Sequence, residues 1–300
     1  MTAAFRCSAA SAGRGDPLAG TASTVRAYLL MEHAGPWGSE ALRDSRLPAA
    51  LGPALRRHAA ASGVRPLLIR RNGRPAPADG ARVFVVSARM DDPWTETAEL
   101  PDLEAVLDLD LGALAAGQSL GLERREEPLF CVCTHGRHDP CCAERGRPVA
   151  AALTGSHPDR TWECSHIGGD RFAGNMVVLP YGLYYGRVDA ESAQRVATAH
   201  LAGRLDLDSV RGRSSLPMPV QAAEIALRRS LDETRLDAVR FLGRIGTEGR
   251  TEARFLVGSA HYAVTVRSGA TSEGHPLTCR AVVDSPLPDH EVLLVERVAG

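Results

Sequence analysis

Apolar positions along the chain fall into short continuous runs that alternate with stretches where they recur at helical spacing. Residues 1–22 show neither rhythm; Gly, Ala and Ser dominate there, which predicts a loop or a loosely held arm. Residues 25–31 read as a strand, followed by a turn at Ala34-Gly35-Pro36-Trp37-Gly38. Ser39 is placed to cap a helix with Leu42 on its inner face, and a second helix is expected over about 47–61. Two apolar runs, 66–69 and 82–86, have the length of buried strands, and their alternation with helices predicts an α/β layer. Residues 96–120 fit either short strands or a helix over 111–116.

The middle of the chain is patterned more sharply. A strand is predicted at 128–133, a Gly-containing loop at 134–140 and a helix at about 141–153, with Pro148 opening its regular part. A strand at 162–165, the loop His166-Ile167-Gly168-Gly169-Asp170, and two strands at 176–180 and 183–188 follow. Residues 190–202 close the block as an amphipathic helix, with Ala193, Val196, Ala197 and Leu201 on one face. This βαβ–ββα order is thioredoxin-like. A composition shift at 211–215 predicts a linker. Beyond it, a helix over 220–231 and strands at 253–257, 262–266, 278–283 and 292–295 predict a small antiparallel extension. The expected fold is α/β: an N-terminal α/β region at 1–125, a thioredoxin-like domain at 126–210 and a C-terminal α+β extension at 216–300. No internal repeat is evident in the sequence.

Composition narrows the functional classes. With 300 residues and 44% hydrophobic content, the chain can bury a substantial core. Its formal net charge of −1 gives no field that favours nucleic acid or a membrane surface, and neither is expected as a partner. All 35 basic residues are Arg, which goes with the abundance of Ala, Gly and Pro as a coding bias. No apolar run reaches the roughly 20 residues needed to span a bilayer, and the first residues lack the apolar stretch of a secretory signal. A cytoplasmic location is therefore expected, where thiols stay reduced. Five of the seven cysteines (Cys131, Cys133, Cys141, Cys142 and Cys164) fall within 34 residues, a clustering that points to a metal or redox site rather than disulfides. Cys7 and Cys279 stand apart and read as ordinary thiols.

Eight residues separate Cys133 from Cys142, and the span includes Gly136 and Pro140. A loop of this length can return to its starting point, so two thiolates can grip one iron, which soft sulfur donors suit. His166, preceded by Cys164 and followed by Gly168-Gly169, supplies a second potential ligand loop; three residues separate His166 from Asp170. Cys131 lies on a strand and reads as core, since cysteine is among the most buried residue types. Adjacent Cys141 and Cys142 face different ways, so one of them is expected only to pack. His135 and His138 read as loop hydrogen-bonders, Arg137 with Asp139 as a bracing ion pair, and Trp162 and Phe172 as core anchors.

The stretches Cys133-Thr-His-Gly-Arg-His-Asp139, Cys141-Cys142-Ala-Glu-Arg-Gly146 and Trp162-Glu-Cys-Ser-His-Ile-Gly-Gly-Asp-Arg-Phe-Ala-Gly-Asn175 resemble the sucrase/ferredoxin-like family, as do Leu179-Pro180 and Tyr184-Tyr185-Gly186-Arg187. Gly20-Thr21-Ala22 and Pro36-Trp37-Gly38 fit its N-terminal half, so the resemblance covers roughly 5–205. It implies a thioredoxin-like [2Fe-2S] ferredoxin, in which two cysteines bind one iron and the histidines of a His-x-x-x-His loop bind the other. By that resemblance Cys133 and Cys142 are the sulfur ligands and His166 the first imidazole. Asp170 stands where the second histidine is expected. Three readings follow: Asp170 ligates through its carboxylate, Cys164 enters as the fourth ligand, or no cluster is held. The implied role is one-electron transfer with a protein redox partner, since no Gly-x-Gly-x-x-Gly fingerprint follows a strand.

Two other chemistries compete. A zinc site would use the same donor types, but the usual Cys-x2–4-Cys knuckles are missing. A thioredoxin-like thiol oxidoreductase would want Cys-x-x-Cys at a helix start, and only the vicinal pair Cys141-Cys142 is near one. Glycoside hydrolysis needs two facing carboxylates, and no motif singles out such a pair among the 36 acidic residues.

Overall fold

A computed structural model describes residues 4–73, 80–247 and 249–299. The chain opens with α1 (Cys7–Arg14), then runs through β1 (Ala27–Glu32), α2 (Ala41–Asp44), α3 (Leu51–Ser62), β2 (Arg65–Arg70), β3 (Ala81–Ser87) and β4 (Trp94–Leu100). α4 (Leu111–Ala116) and β5 (Glu123–Arg124) lead into β6 (Leu129–Cys133), α5 (Pro140–Ser156), β7 (Thr161–Cys164), β8 (Met176–Leu179), β9 (Leu183–Tyr185) and α6 (Ala190–Leu201). β10 (Val210–Arg213) and α7 (Met218–Leu231) precede an antiparallel sheet of β11 (Val239–Thr247), β12 (Arg250–Val257), β13 (Ala260–His275) and β14 (Ser285–Val298). The fold is α/β with a small extension sheet, as the patterning predicts.

The other ten strands form one mixed sheet in the order β10-β9-β8-β6-β7-β2-β1-β3-β4-β5. Within it, β7-β6-β8-β9 and β2-β1-β3-β4 are the same arrangement twice. In each, the first two strands are parallel and flank helical segments, and the last two add antiparallel. The sequence shows no repeat, yet the topology is duplicated about the β2–β7 seam. That seam is antiparallel and registers only Ile69 with Cys164 and Arg70 with Glu163. The carboxyl ends of both parallel pairs therefore meet there, and the loop after β1 comes to face the loop after β6.

Packing follows the pattern of side chains. β1 and β6 are buried along their whole length, which is why they read as continuous apolar runs. One sheet face draws both halves into a single core that includes Leu30, Phe84, Cys131, Trp162, Val177 and Tyr184. The opposite face is covered by α5 and α6 in one half and by α3 and α4 in the other. α7 packs on the extension through Val220, Ala223 and Leu227.

Four expectations change. Residues 7–14 form a helix rather than a loose arm, with Cys7, Ser8 and Ser11 buried and Gly15 in the left-handed region ending it; residues 1–3 lie outside the described residues. Residues 211–215 are buried rather than a linker, because β10 pairs with β9 and its arginines find partners inside. Arg211 donates to the carbonyls of Thr21 and Gly168, and Arg213 reaches Glu224, which also binds Arg228 at 2.9 Å. Pro140 takes the first turn of α5, and Pro148 sits inside the helix. The backbone bond that Pro148 forfeits is outweighed by burial of Cys142, Gly146, Val149, Ala150 and Leu153 along one face. Residues 278–283 form no strand: Val282 and Val283 are 95% and 71% exposed, and Cys279 is drawn inward.

Candidate metal centre

β6 delivers Cys133 to the seam, and α5 starts beside it. The Asp139 carboxylate accepts from Cys141 N–H at 2.9 Å and so caps the helix. One turn in, Gly146 lets α5 approach β6: a Cβ there would lie 2.0 Å from the Cys133 carbonyl oxygen. Cys142 shares that helix face, four residues earlier, and is therefore laid over Cys133. The donor atoms of Cys133, Cys142 and His166 all lie within 4.8 Å of one another.

The second loop comes from the end of β7. Gly168 and Gly169 have φ of 95° and 80°, a conformation that favours glycine. Buried Arg211 donates to Gly168 O at 3.0 Å, and Asn175 Nδ2 to Gly169 O at 2.8 Å, which fixes the turn from behind. Its far end places Asp170 Oδ1 3.2 Å from Cys142 Sγ and 3.0 Å from His166 Nδ1. Among the described residues, no neighbour is aligned for a hydrogen bond to that buried ring nitrogen. The four residues Cys133, Cys142, His166 and Asp170 are thus brought together. Cys164 is also near, in register with Cys133, but among the described residues it joins no group of convergent donors, and it stays wholly buried in the core. Cys131 is likewise buried in the core.

Two histidines from the loop after β6 complete the surroundings. His135 Nε2 is 2.8 Å from Gly38 O, while its Nδ1 accepts from His166 N–H at 3.2 Å. Both nitrogens are used, so His135 braces the two loops. His138 stacks on His166 with ring centroids 3.8 Å apart, and its Nε2 lies 3.8 Å from Asp170 Oδ2. The Ser39 carbonyl, 3.2 Å from His138 Nδ1, can only accept; it favours the proton on Nδ1, which leaves Nε2 with a lone pair. Trp37 meets the His135 ring edge-on and Arg70 covers the indole, so the Pro36-Trp37-Gly38 turn is a wall of this site.

Electrostatics separate the two thiols. A hydrogen bond from Cys142, with help from His166, holds the Cys133 thiol well below its ordinary value. Hydrogen bonding to Cys133 and burial push Cys142 the other way. Burial opposes a charged His166, but the adjacent Asp170 and Cys133 raise it to about 9. Burial would raise Asp170, yet the facing His166 lowers it overall. Burial sends Cys164 well up and Cys131 to about 12. These directions favour an anionic Cys133 and Asp170 paired with a protonated His166, which must give up that proton before it can bind a metal.

Residues 18–212 match the family model described as Sucrase/ferredoxin-like. The chain belongs to the sucrase/ferredoxin-like family. No curated protein and no solved structure matches it. The sucrase/ferredoxin-like region takes in both halves of the large sheet and the segments that carry Cys133, Cys142, His166 and Asp170, and ends before α7 and the extension. Among the described residues, no helix is long and apolar enough to cross a membrane.

Sequence reasoning missed His138 as a donor; its place three residues after His135 in a Cys-to-Cys loop was the available signal. It also missed a second group, in which Cys7, Asp139, Cys141 and Cys279 converge within 4.8 Å. Cys7 and Cys279 do not stand apart, and Cys141, which packs with them, brings a third sulfur to the same point. Asp139 is engaged by backbone N–H groups, and no ion pair with Arg137 forms among the described residues. Nothing in the sequence links positions 7 and 279.

Proposed function

We propose that Cys133, Cys142, His166 and Asp170 hold a [2Fe-2S] cluster and that the protein carries single electrons to or from a protein partner. The observation that supports this best is the convergence of two buried sulfurs, from the end of β6 and the start of α5, with a half-buried imidazole from the loop after β7, in a family with ferredoxin relatives. The donor chemistry fits. Soft sulfurs from β6 and α5 stand side by side, and nitrogen and oxygen donors come from 166–170. His166 Nδ1 lies 3.0 Å from Asp170 Oδ1 without hydrogen-bond alignment, and on losing its proton it would offer a metal its lone pair. When bound, the cluster would store one electron. Asp170 would hold its potential down, because an anionic ligand stabilises oxidised iron; bis-imidazole Rieske centres lie at about −150 to +300 mV. His138 is the structure's alternative to Asp170 for the last position, with Nε2 free and Nδ1 tied to Ser39. A cleft beside His138 and His166, lined mainly by apolar residues such as Leu42, Ala59 and Val64 and bordered by Glu40, Arg56 and Arg65, offers a docking surface next to these donors.

Compactness supports a second reading, a single zinc ion, since three donors lie within 4.8 Å. Anaerobic purification with iron and sulfide counts, and EPR of the reduced protein, separates the two. Red-brown protein with about two irons and two sulfides per chain is expected. Asp170→Ala should shift the EPR signal and raise the potential, and Cys164→Ala should leave both unchanged. Colourless protein without iron overturns the ferredoxin reading.

A further inference from the structure

α5 begins with adjacent cysteines that face opposite ways. Cys142 turns to Cys133 and Asp170, whereas Cys141 turns to Cys7 from α1 and Cys279 from loop 276–284. The Sγ atoms of Cys7 and Cys141 are 3.8 Å apart, those of Cys141 and Cys279 3.3 Å, and those of Cys7 and Cys279 3.6 Å. Both Asp139 carboxylate oxygens lie 3.8 Å from Cys7 Sγ. A disulfide would bring two sulfurs to about 2.05 Å, so these are three separate thiols. Sulfurs bound to one tetrahedral zinc at about 2.3 Å stand about 3.8 Å apart on the edges of its coordination tetrahedron. The spacing therefore fits one ion. A polynuclear cluster would place ligands on different irons and spread at least one pair more widely.

The surroundings call for a cation. Cys7, Cys141 and Asp139 are buried, and Cys279 sits at the rim. The hydrogen-bond donors to Asp139 are backbone N–H groups, Cys141 at 2.9 Å and Cys279 at 2.6 Å, besides the Cys7 thiol. Its charge has no ion-pair partner among the described residues, and a buried, unpaired carboxylate is costly.

We propose that Cys7, Cys141, Cys279 and Asp139 form a four-coordinate structural site for one zinc ion, which clamps α1 and loop 276–284 to the start of α5. Three thiolates and a carboxylate suit zinc, and four protein ligands leave no open position for a substrate. On binding, the three thiols release their protons to solvent. Asp139 retains lone pairs for the metal while it caps the helix. This site shares no sulfur with the Cys133–Cys142 group.

Metal analysis of the anaerobically purified full chain, with zinc-edge X-ray absorption, tests it. About one zinc per chain is expected, with three sulfurs at about 2.3 Å and one oxygen at about 2.0 Å. Cys279→Ser, at the rim, should lose zinc at least tenfold and keep the native iron content and visible spectrum; Cys133→Ser should lose iron and keep zinc. Proteolysis within 276–284 should quicken in Cys279→Ser. Zinc retained by Cys279→Ser, a nitrogen-rich shell, or wild-type protein that takes up no added zinc would each overturn the assignment. Should Cys279→Ser not fold, the absorption shell of the wild type decides.

Discussion

Gly146→Ala is the sharpest mechanical test of how the site is built. A methyl group at this position would lie 2.0 Å from the Cys133 carbonyl oxygen, against about 3.0 Å for the closest contacts real side chains make. The obstacle is backbone, so α5 and β6 must part by about 1 Å. Overpacking of this kind costs about 1–3 kcal/mol, or a melting temperature lower by several degrees. The functional loss should be larger than the stability loss. Cys142 lies four residues earlier on the same helix face and moves with Gly146, and a site about 1 Å too loose fails to hold its metal. Gly155→Ala in the same helix is the control: nothing lies within 4 Å of its added methyl. It should be neutral or stabilising by up to about 1 kcal/mol. Thermal unfolding by circular dichroism and iron counts on anaerobically purified protein read both variants side by side. Gly146→Ala with wild-type iron content and an unchanged melting temperature would show that Gly146 does not set the Cys133–Cys142 approach.

Two further outcomes follow from buried charges. Burial takes His200 down to about 4, against the ordinary 6.5, and its ring packs on Phe130 and Tyr181. The folded chain then refuses a proton that the unfolded chain takes. Stability is full above about pH 6.5 and falls as pH drops toward 4, by up to about 3 kcal/mol. Urea titrations at pH 7 and pH 4.5 should show His200→Phe losing less stability on acidification than wild type; equal losses would count against it. Glu224→Gln should cost about 3–5 kcal/mol in denaturant unfolding, because buried Arg213 and Arg228 lose the carboxylate they share. A cost below 1 kcal/mol would mean that the backbone carbonyls accepting from these arginines suffice.

The central block was legible almost residue by residue. β6, β8, β9 and α6 lie within a few residues of the ranges read from apolar runs and helical spacing, because packing agrees there with local preference. The family resemblance singled out Cys133, Cys142, His166 and Asp170, at a strand end, a helix start and the loop after the next strand, and the fold brings these segments together. What escaped depends on tertiary partners. α1 has low hydrophobicity and no side-chain N-cap, and it is held by burial of Cys7, Ser8 and Ser11. Arginines at 211 and 213 look solvated by composition, yet their partners lie far along the chain. Residues 278–283 have strand-like side chains, but backbone bonding from Cys279 to Asp139 ties the segment elsewhere. His138 gains meaning only once Ser39 is seen against its Nδ1.

Across the seam, Arg70 and Glu163 pair at 2.7 Å beside a ladder of two registered residue pairs, and Tyr28 and Tyr184 hydroxyls meet at 3.3 Å within the shared core. The halves join as the subunits of an isologous dimer join, each presenting the same strand ends to the other. In this covalent dimer the partners have unequal trades. One bears thiols and imidazoles; the other, whose matching loop 33–40 has no cysteine, lends Trp37, Gly38 and Ser39 as masonry. Symmetry would have set two centres face to face, and its breaking leaves one centre sheltered by its own twin.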